Sequence, residues 1–243
     1  MDWWQGSNHG IDASLNKELA SSAFVSFVTD PLQNYFTGAG PVWGCTIVSV
    51  VSDRGAWTGH FWQGFFENDD LFHDQVIEFL AEGNQAEGYP GLANLVIPGG
   101  PFDLAQTKFL GVTIMTPEGW THKINAQNPF QEPELVRQTG QIRYLERFNA
   151  IVLKLDSIFG ISNLKVTSVV YPFDETVWSF INVSTDPNIC EWYPILDRSP
   201  RLKNGPWTGM LTIQRRATQE PRLAPAVRIF AGSDLVFNQA WAP

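Results

Sequence analysis

Two extended runs joined by a short polar turn constrain the fold of this chain more than any other feature. Thr46–Val51 is almost wholly β-branched, and Ala56–Trp62 is rich in aromatic side chains. These residue types are enriched in β-strands, whereas Ser52–Gly55 between the two runs has turn chemistry. The pattern predicts a β-hairpin.

Cys45, one of two cysteines, heads the first run, and His60 lies near the end of the second. With a two-residue turn that starts at Ser52, Cys45 stands directly opposite His60. With a four-residue turn from the same position, Cys45 stands opposite Trp62 and His60 lies on the diagonal. Both registers put the two side chains on one face of the hairpin, roughly 5 to 8 Å apart. A three-residue loop ending at Gly55 shifts the parity unless a bulge restores it.

This pairing predicts nucleophilic chemistry. The thiolate is the reactive form of cysteine, whose ordinary pKa is about 8.5, and a neighbouring imidazolium lowers that pKa toward neutrality. A Cys–His pair attacks a carboxamide carbonyl, forms a thioester with loss of ammonia, and is reset by water. Cys45 is therefore the predicted nucleophile and His60 the predicted base. The main-chain amides around Gly44 and Thr46 are the predicted oxyanion donors, because a glycine lets a substrate approach the backbone closely.

The same stretch resembles a known catalytic hairpin. A Gly-Cys-Thr triplet at 44–46, an Ile-Val pair, a polar turn with Arg-Gly, an aromatic strand and His60 at this spacing resemble the cytotoxic necrotizing factor deamidases and, more distantly, the chemotaxis-receptor glutamine deamidase family CheD. The resemblance is confined to residues 44–60. It implies a protein-glutamine deamidase, with transglutaminase activity where an amine replaces water, built on a layered sandwich of two sheets. It also implies that an upstream group orients the imidazole, either Thr37 or a main-chain carbonyl within residues 34–40.

Other interpretations of these residues stay open. A cysteine that leads into an apolar strand is usually a small buried hydrophobe, and a histidine beside Phe61 and Trp62 is often structural. A thiol peptidase or another amidase is a further alternative, although the short spacing from Cys45 to His60 argues against the papain-like order.

A non-catalytic binding module is the alternative function. Aromatic side chains in predicted loops offer flat platforms for a sugar or a peptide. These side chains are Trp120, Trp192, Tyr193 and Trp207.

Metal catalysis has the least support in the sequence. The four histidines show no paired ligand spacing. Glu67, Asp69 and Asp70 crowd at a predicted helix start, where carboxylates cap the helix and complement its dipole. We therefore expect neither a metal nor a cofactor.

Charge and cysteine content narrow the class of partner. A net charge of -9 lacks the electrostatic footprint of a nucleic-acid-binding protein and is more compatible with a basic partner surface than with DNA. The resemblance to the deamidases implies a protein substrate with a surface glutamine as the partner. Cys45 and Cys190 give no disulfide framework, which favours a reducing, cytoplasmic compartment and leaves the role of Cys190 open. The first residues show no basic n-region or apolar h-region, and the chain has no run of about 18 apolar residues, so neither a signal peptide nor a membrane span is expected. Delivery as part of a larger, toxin-like effector stays open, as does the oligomeric state.

The chain of 243 residues is long enough for one sizeable domain over 1–243. Within it we expect a flexible N-terminal arm at 1–22 and a C-terminal extension at 218–243 that packs on the body. The predicted order is strands at 23–28, 46–51 and 56–62, a helix over 67–83, strands at 93–97 and 109–116, a helix over 141–159, and strands at 165–171, 176–183, 209–214 and 227–230. This order predicts an α/β fold of the α+β type, a layered sandwich of mostly antiparallel or mixed sheets with helices on the outside.

Overall fold

A computed structural model describes residues 11–12, 19–29, 35–40, 44–123, 134–171, 211–216, 225–231 and 234–241. The strands are β1 (Ile11–Asp12), β2 (Ser21–Ser26), β3 (Tyr35–Gly40), β4 (Thr46–Ser52), β5 (Gly55–Phe61), β6 (Gly83–Asn84), β7 (Tyr89–Pro90), β8 (Leu110–Lys123), β9 (Glu134–Ile142), β10 (Val166–Tyr171), β11 (Leu211–Arg216), β12 (Ala226–Ala231) and β13 (Asp234–Ala240). The helices are α1 (Asp69–Phe72), α2 (Phe79–Glu82) and α3 (Leu145–Phe159), with a π-helical segment, His73–Glu78, between the first two. Short 3-10 turns lie at Gln63–Glu67 and Gln85–Glu87. Within these ranges, no helix combines the length and the apolar character needed to cross a bilayer.

The strands form two large sheets. One has five strands in the order β1-β3-β11-β12-β13, and the other has the order β10-β8-β4-β5-β2, with β9 paired to the C-terminal end of β8. Among the described strands, the β1–β3 and β8–β10 pairs are parallel and the other pairs are antiparallel. The expected α+β fold with layered, mostly antiparallel sheets is therefore confirmed.

The six-stranded sheet is covered on both faces, and β4 shows why. Ile47 and Val51 belong to an interior cluster shared with the five-stranded sheet, whereas Val48 and Val50 belong to a second cluster shared with the helices. Successive side chains of a strand point to opposite faces, so a strand buried on both faces is largely apolar. The β-branched run thus marks the central layer of a three-layer structure.

The predicted helix that starts in the acidic stretch is confirmed over 69–82, with a π-helical turn inside it. Asn68 caps its start by accepting a hydrogen bond from the Leu71 amide at 3.0 Å. Its predicted apolar face is buried, and Gly83 ends it with a φ of 69°. The apolar face consists of Phe72, Val76, Phe79 and Leu80.

The second predicted helix begins later than expected. Residues 141–142 still belong to β9, and α3 starts at Leu145, which is exposed rather than packed on the sheet. The buried side chains of α3 are Ile151, Leu155 and Phe159, and Gly160 ends the helix in the left-handed region.

The strands differ from the prediction in three places. Ala93–Ile97 is a turn, because the amides of Leu95 and Val96 both donate to the carbonyl of Leu92. Residues 35–40, between the strands predicted at 23–28 and 46–51, form β3, which is held by pairing with the distant strand β11. The strand predicted over 109–116 runs on to Lys123, because a β-bulge between Glu118 and Gly119 carries it onward against β9.

Described parts of both terminal regions belong to the two sheets. Ser21 and Ser22, assigned to the N-terminal arm, begin β2 and pair with β5. The region expected to be a C-terminal extension supplies β12 and β13, two strands of the five-stranded sheet. Both differences arise because pairing partners distant in sequence complete the ladders. The predicted strand at 176–183 lies outside the described residues.

Candidate functional site

The β4–β5 hairpin sets the geometry of the predicted pair. Ile47 pairs with His60, and the ladder continues to the pair of Val51 and Ala56, so residues 52–55 make the connection. This is the second of the two registers allowed by the sequence. One step beyond the last paired positions, Cys45 lies diagonally across the hairpin from His60.

Both side chains face the interior between the two sheets. Cys45 and Ile47 belong to the cluster shared with the five-stranded sheet, and His60 shares their face because it pairs with Ile47. The structure therefore brings the two predicted residues to one surface of neighbouring strands. Cys45 is a buried thiol.

Burial decides the electrostatics of this pair. Cys45 and His60 are each 1% exposed, and desolvation lowers the pKa of His60 to about 3. The imidazole is therefore neutral at pH 7, and the expected imidazolium is not present in this conformation. The His60 ring meets the Trp62 ring edge-on at 5.0 Å, and its Nε2 has no hydrogen-bond partner among the described residues.

Of the predicted supporting groups, Gly44 and Thr46 flank Cys45, and Thr37 lies on the opposite sheet. Thr37 is buried on β3, the strand of the opposite sheet that lies against β5. Gly44 has a φ of 74°, so the residue before the cysteine occupies the left-handed region. The Thr46 hydroxyl is 3.3 Å from the Thr116 hydroxyl, in hydrogen-bond contact.

One residue at this strand end is not predicted by the sequence. The hydroxyl of Tyr171, at the end of β10, donates a hydrogen bond to the main-chain oxygen of Cys45 at 2.7 Å. Burial, above all, raises the pKa of Tyr171 well above its usual range, and the Cys45 thiol adds to the rise. Main-chain hydrogen bonding at Gly44 and the charge of Arg143 act in the opposite direction. Tyr171 is thus a protonated donor, and 126 residues separate it from Cys45, so no local motif reveals it.

Arg143 links this strand end to the surface. Its amide donates to the carbonyl of Pro117 at 3.1 Å, and its guanidinium lies 3.9 Å from the centre of the Trp120 ring. The guanidinium also lies 4.9 Å from the Tyr144 ring and 3.5 Å from the Glu67 carboxylate. Trp120, expected in a loop, is instead part of β8 and is covered by this arginine.

The acidic stretch serves the helix and the surface. Glu67 accepts a hydrogen bond from the Tyr144 hydroxyl at 2.9 Å, and Asp69 pairs with Arg147. Within the described ranges, no group of three His, Cys, Asp or Glu side chains is arranged to hold a metal ion. Cys190, Trp192, Tyr193 and Trp207 lie outside the described residues.

In comparisons with known proteins, no family model, no curated protein and no solved structure matches this chain.

Proposed function

We propose that this protein is a cysteine hydrolase that acts on a carboxamide, most concretely a protein-glutamine deamidase. The observation that carries the proposal is the hairpin register, which puts Cys45 and His60 on one face of adjacent strands. The hairpin also resembles that of the cytotoxic necrotizing factor and CheD-like deamidases. Cys45 is the nucleophile, and His60 is the general base.

The reaction balances with these two side chains and water. His60 takes the thiol proton as Cys45 Sγ attacks the glutamine carboxamide carbon, and the main-chain amides near Gly44 and Thr46 stabilise the oxyanion. The C–N bond then breaks, and the leaving ammonia takes the proton from the imidazolium. His60 next removes a proton from water, which attacks the thioester and releases glutamate and the thiol. An amine in place of water gives transglutamination.

The burial of the pair sets a condition on turnover. A carboxamide must reach Sγ, and the imidazolium that forms in the reaction must be solvated or paired. Both side chains are 1% exposed. Turnover therefore requires that the strand end bearing Cys45 becomes accessible in solution, where hydration would also raise the pKa of His60 toward its ordinary value.

The same burial favours a second candidate, a non-catalytic binding module. A fully buried thiol beside a neutral, unprotonated histidine is what a structural core contains. In that case the function lies with aromatic side chains nearer the surface, of which Trp120 is the described example. A sugar or a peptide is the expected ligand.

One experiment separates the two functions. Ammonia release from casein and from a Gln-Gly dipeptide is measured for the wild type, Cys45→Ser, His60→Gln and the matched control Cys190→Ser. Iodoacetamide labelling at each cysteine is followed by mass spectrometry from pH 5 to pH 9. We expect ammonia release that is lost in Cys45→Ser, strongly reduced in His60→Gln and retained in Cys190→Ser, with labelling of native Cys45.

The opposite result would show that Cys45 and His60 serve only as structural residues of the core. If Cys45 stays unlabelled until the protein is unfolded, and no ammonia is released, the deamidase proposal fails and the binding module remains. Retained turnover in Cys45→Ser would equally overturn the assignment of the nucleophile.

A further inference from the structure

β8 pairs with β10 on one side and with β4 on the other, and both ladders end near Pro117. The backbone of Cys45 lies beyond the end of the β4 ladder. On one side, β10 pairs with β8 up to the Tyr171–Pro117 pair. On the other side, the β4 ladder runs from Ser52 to Ile47, and its continuation would put Cys45 opposite Pro117. Proline has no N–H and cannot donate to a neighbouring strand. Pro117 therefore cannot donate a backbone hydrogen bond to the Cys45 carbonyl.

The Tyr171 side chain donates a hydrogen bond to this carbonyl. Its hydroxyl lies 2.7 Å from the Cys45 carbonyl oxygen in a buried environment, and its ring belongs to the same interior cluster as the Cys45 side chain. A buried carbonyl without a donor is costly, so this bond holds the backbone at Cys45 in one orientation. Gly44, next to Cys45, lies at positive φ, a conformation that glycine adopts without the steric cost of a Cβ.

We infer that Tyr171 is a positioning residue for the nucleophile, holding the Cys45 backbone so that Sγ stays on the face shared with His60. The inference rests on the proposed function. Tyr171 takes no proton and contacts no reacting atom in the scheme above; it acts through the main chain of Cys45. Loss of its hydroxyl is therefore expected to lower the rate of attack and not the substrate affinity, because the hydrogen bond of the phenol goes to the Cys45 carbonyl.

The test compares two hydroxyl deletions in the same interior cluster. Tyr171→Phe removes the donor and keeps the ring, and Tyr35→Phe removes the hydroxyl of the other buried tyrosine, on β3. We expect kcat for ammonia release to fall about 10- to 100-fold in Tyr171→Phe, as for a misplaced reacting group, with KM unchanged. Tyr35→Phe should keep both constants.

A second measurement reads the hydrogen bond without turnover. The chain has two cysteines, so [1-13C]cysteine in a Cys190→Ser background labels one carbonyl, that of Cys45. Its 13C resonance should move upfield in Tyr171→Phe, where the carbonyl loses its donor, and stay in place in Tyr35→Phe.

The outcomes distinguish the two proposals. Absence of wild-type turnover, or turnover that persists in Cys45→Ser, overturns the proposed function and with it the positioning role. Turnover that needs Cys45 but is unchanged in Tyr171→Phe overturns the positioning role alone, as does a fall in kcat without a carbonyl shift. If Tyr171→Phe does not fold, Tyr171→Met replaces it, and failure of both to fold assigns Tyr171 to stability and overturns the inference.

Discussion

Ile47 and His60 face each other across the β4–β5 hairpin, and this pairing places an imidazole in the apolar space between two sheets. Burial disfavours the charged form of a histidine, and the pKa of His60 falls from 6.5 to about 3. The folded state buries this ring in its neutral form, so the free energy of unfolding depends on pH through His60.

The sign of that dependence follows from proton binding. Between pH 3 and pH 6.5 the unfolded chain binds a proton at His60 and the folded chain does not. The contribution of His60 to the free energy of unfolding is fully present above pH 6.5. Below that pH the contribution falls by about 1.4 kcal/mol per pH unit. Urea denaturation at pH 7 and pH 5 should therefore show a loss of about 2 kcal/mol from this group.

Two matched histidine variants check this assignment. His60→Gln removes the buried titrating ring, so the loss between pH 7 and pH 5 should shrink by about the same 2 kcal/mol. His73→Gln changes an exposed histidine on the helical layer, so a smaller loss in His60→Gln than in His73→Gln assigns the difference to the buried ring. An equal slope in the wild type and His60→Gln would show that His60 is not buried in its neutral form.

Gly44 gives a prediction about the backbone that leads into Cys45. Its φ of 74° lies in the left-handed region, where a Cβ costs about 1 to 2 kcal/mol. Gly44→Ala should lower the free energy of unfolding by that amount in urea denaturation. Gly64→Ala is the control, because an added Cβ there meets nothing within 4 Å, and it should change stability by less than about 0.5 kcal/mol. A harmless Gly44→Ala would mean that the turn before Cys45 is not left-handed in solution.

The register of the hairpin could be predicted from the sequence because it is a local property. The turn chemistry of residues 52–55 and the two flanking runs restrict the pairing to few registers, and both even-length turns put Cys45 and His60 on one face. The same local logic identified the helix that begins after Asn68, through its cap and its apolar spacing.

The burial of the pair could not be predicted in the same way. The strands that cover the Cys45 face come from residues 35–40, 211–216 and 226–231, which approach the hairpin only in the folded chain. The glycine-rich β3 has a weak strand signal of its own, and its pairing with β11 overrides its propensity. The Tyr171 contact likewise depends on the parallel pairing of β10 with β8.

Helix α3 has one face on the sheet and one face in solvent, so a buried and an exposed leucine of the same helix can be compared. Leu155 is 0% exposed and Leu153, two residues earlier on the same helix, is 67% exposed. Leu155→Ala should lower the free energy of unfolding by about 2 to 5 kcal/mol, because it removes buried apolar area and leaves a cavity. Leu153→Ala should change it by less than about 0.5 kcal/mol. Similar effects of both changes in urea denaturation would contradict the orientation of the helix.

Two threonines on β8 should respond in opposite directions when their hydroxyls are removed. The Thr113 side chain is fully buried, and its hydroxyl has no hydrogen-bond partner among the described residues, whereas the Thr116 hydroxyl lies 3.3 Å from that of Thr46. Valine keeps the shape of threonine and removes the cost of an unsatisfied polar atom, so Thr113→Val should raise the free energy of unfolding by about 1 kcal/mol. Thr116→Val breaks a bond and leaves the Thr46 hydroxyl buried without that partner, so it should lower the same quantity by about 1 to 3 kcal/mol. Thermal and urea denaturation of both variants measure the difference, and a destabilising Thr113→Val would show that a buried water or another group satisfies its hydroxyl.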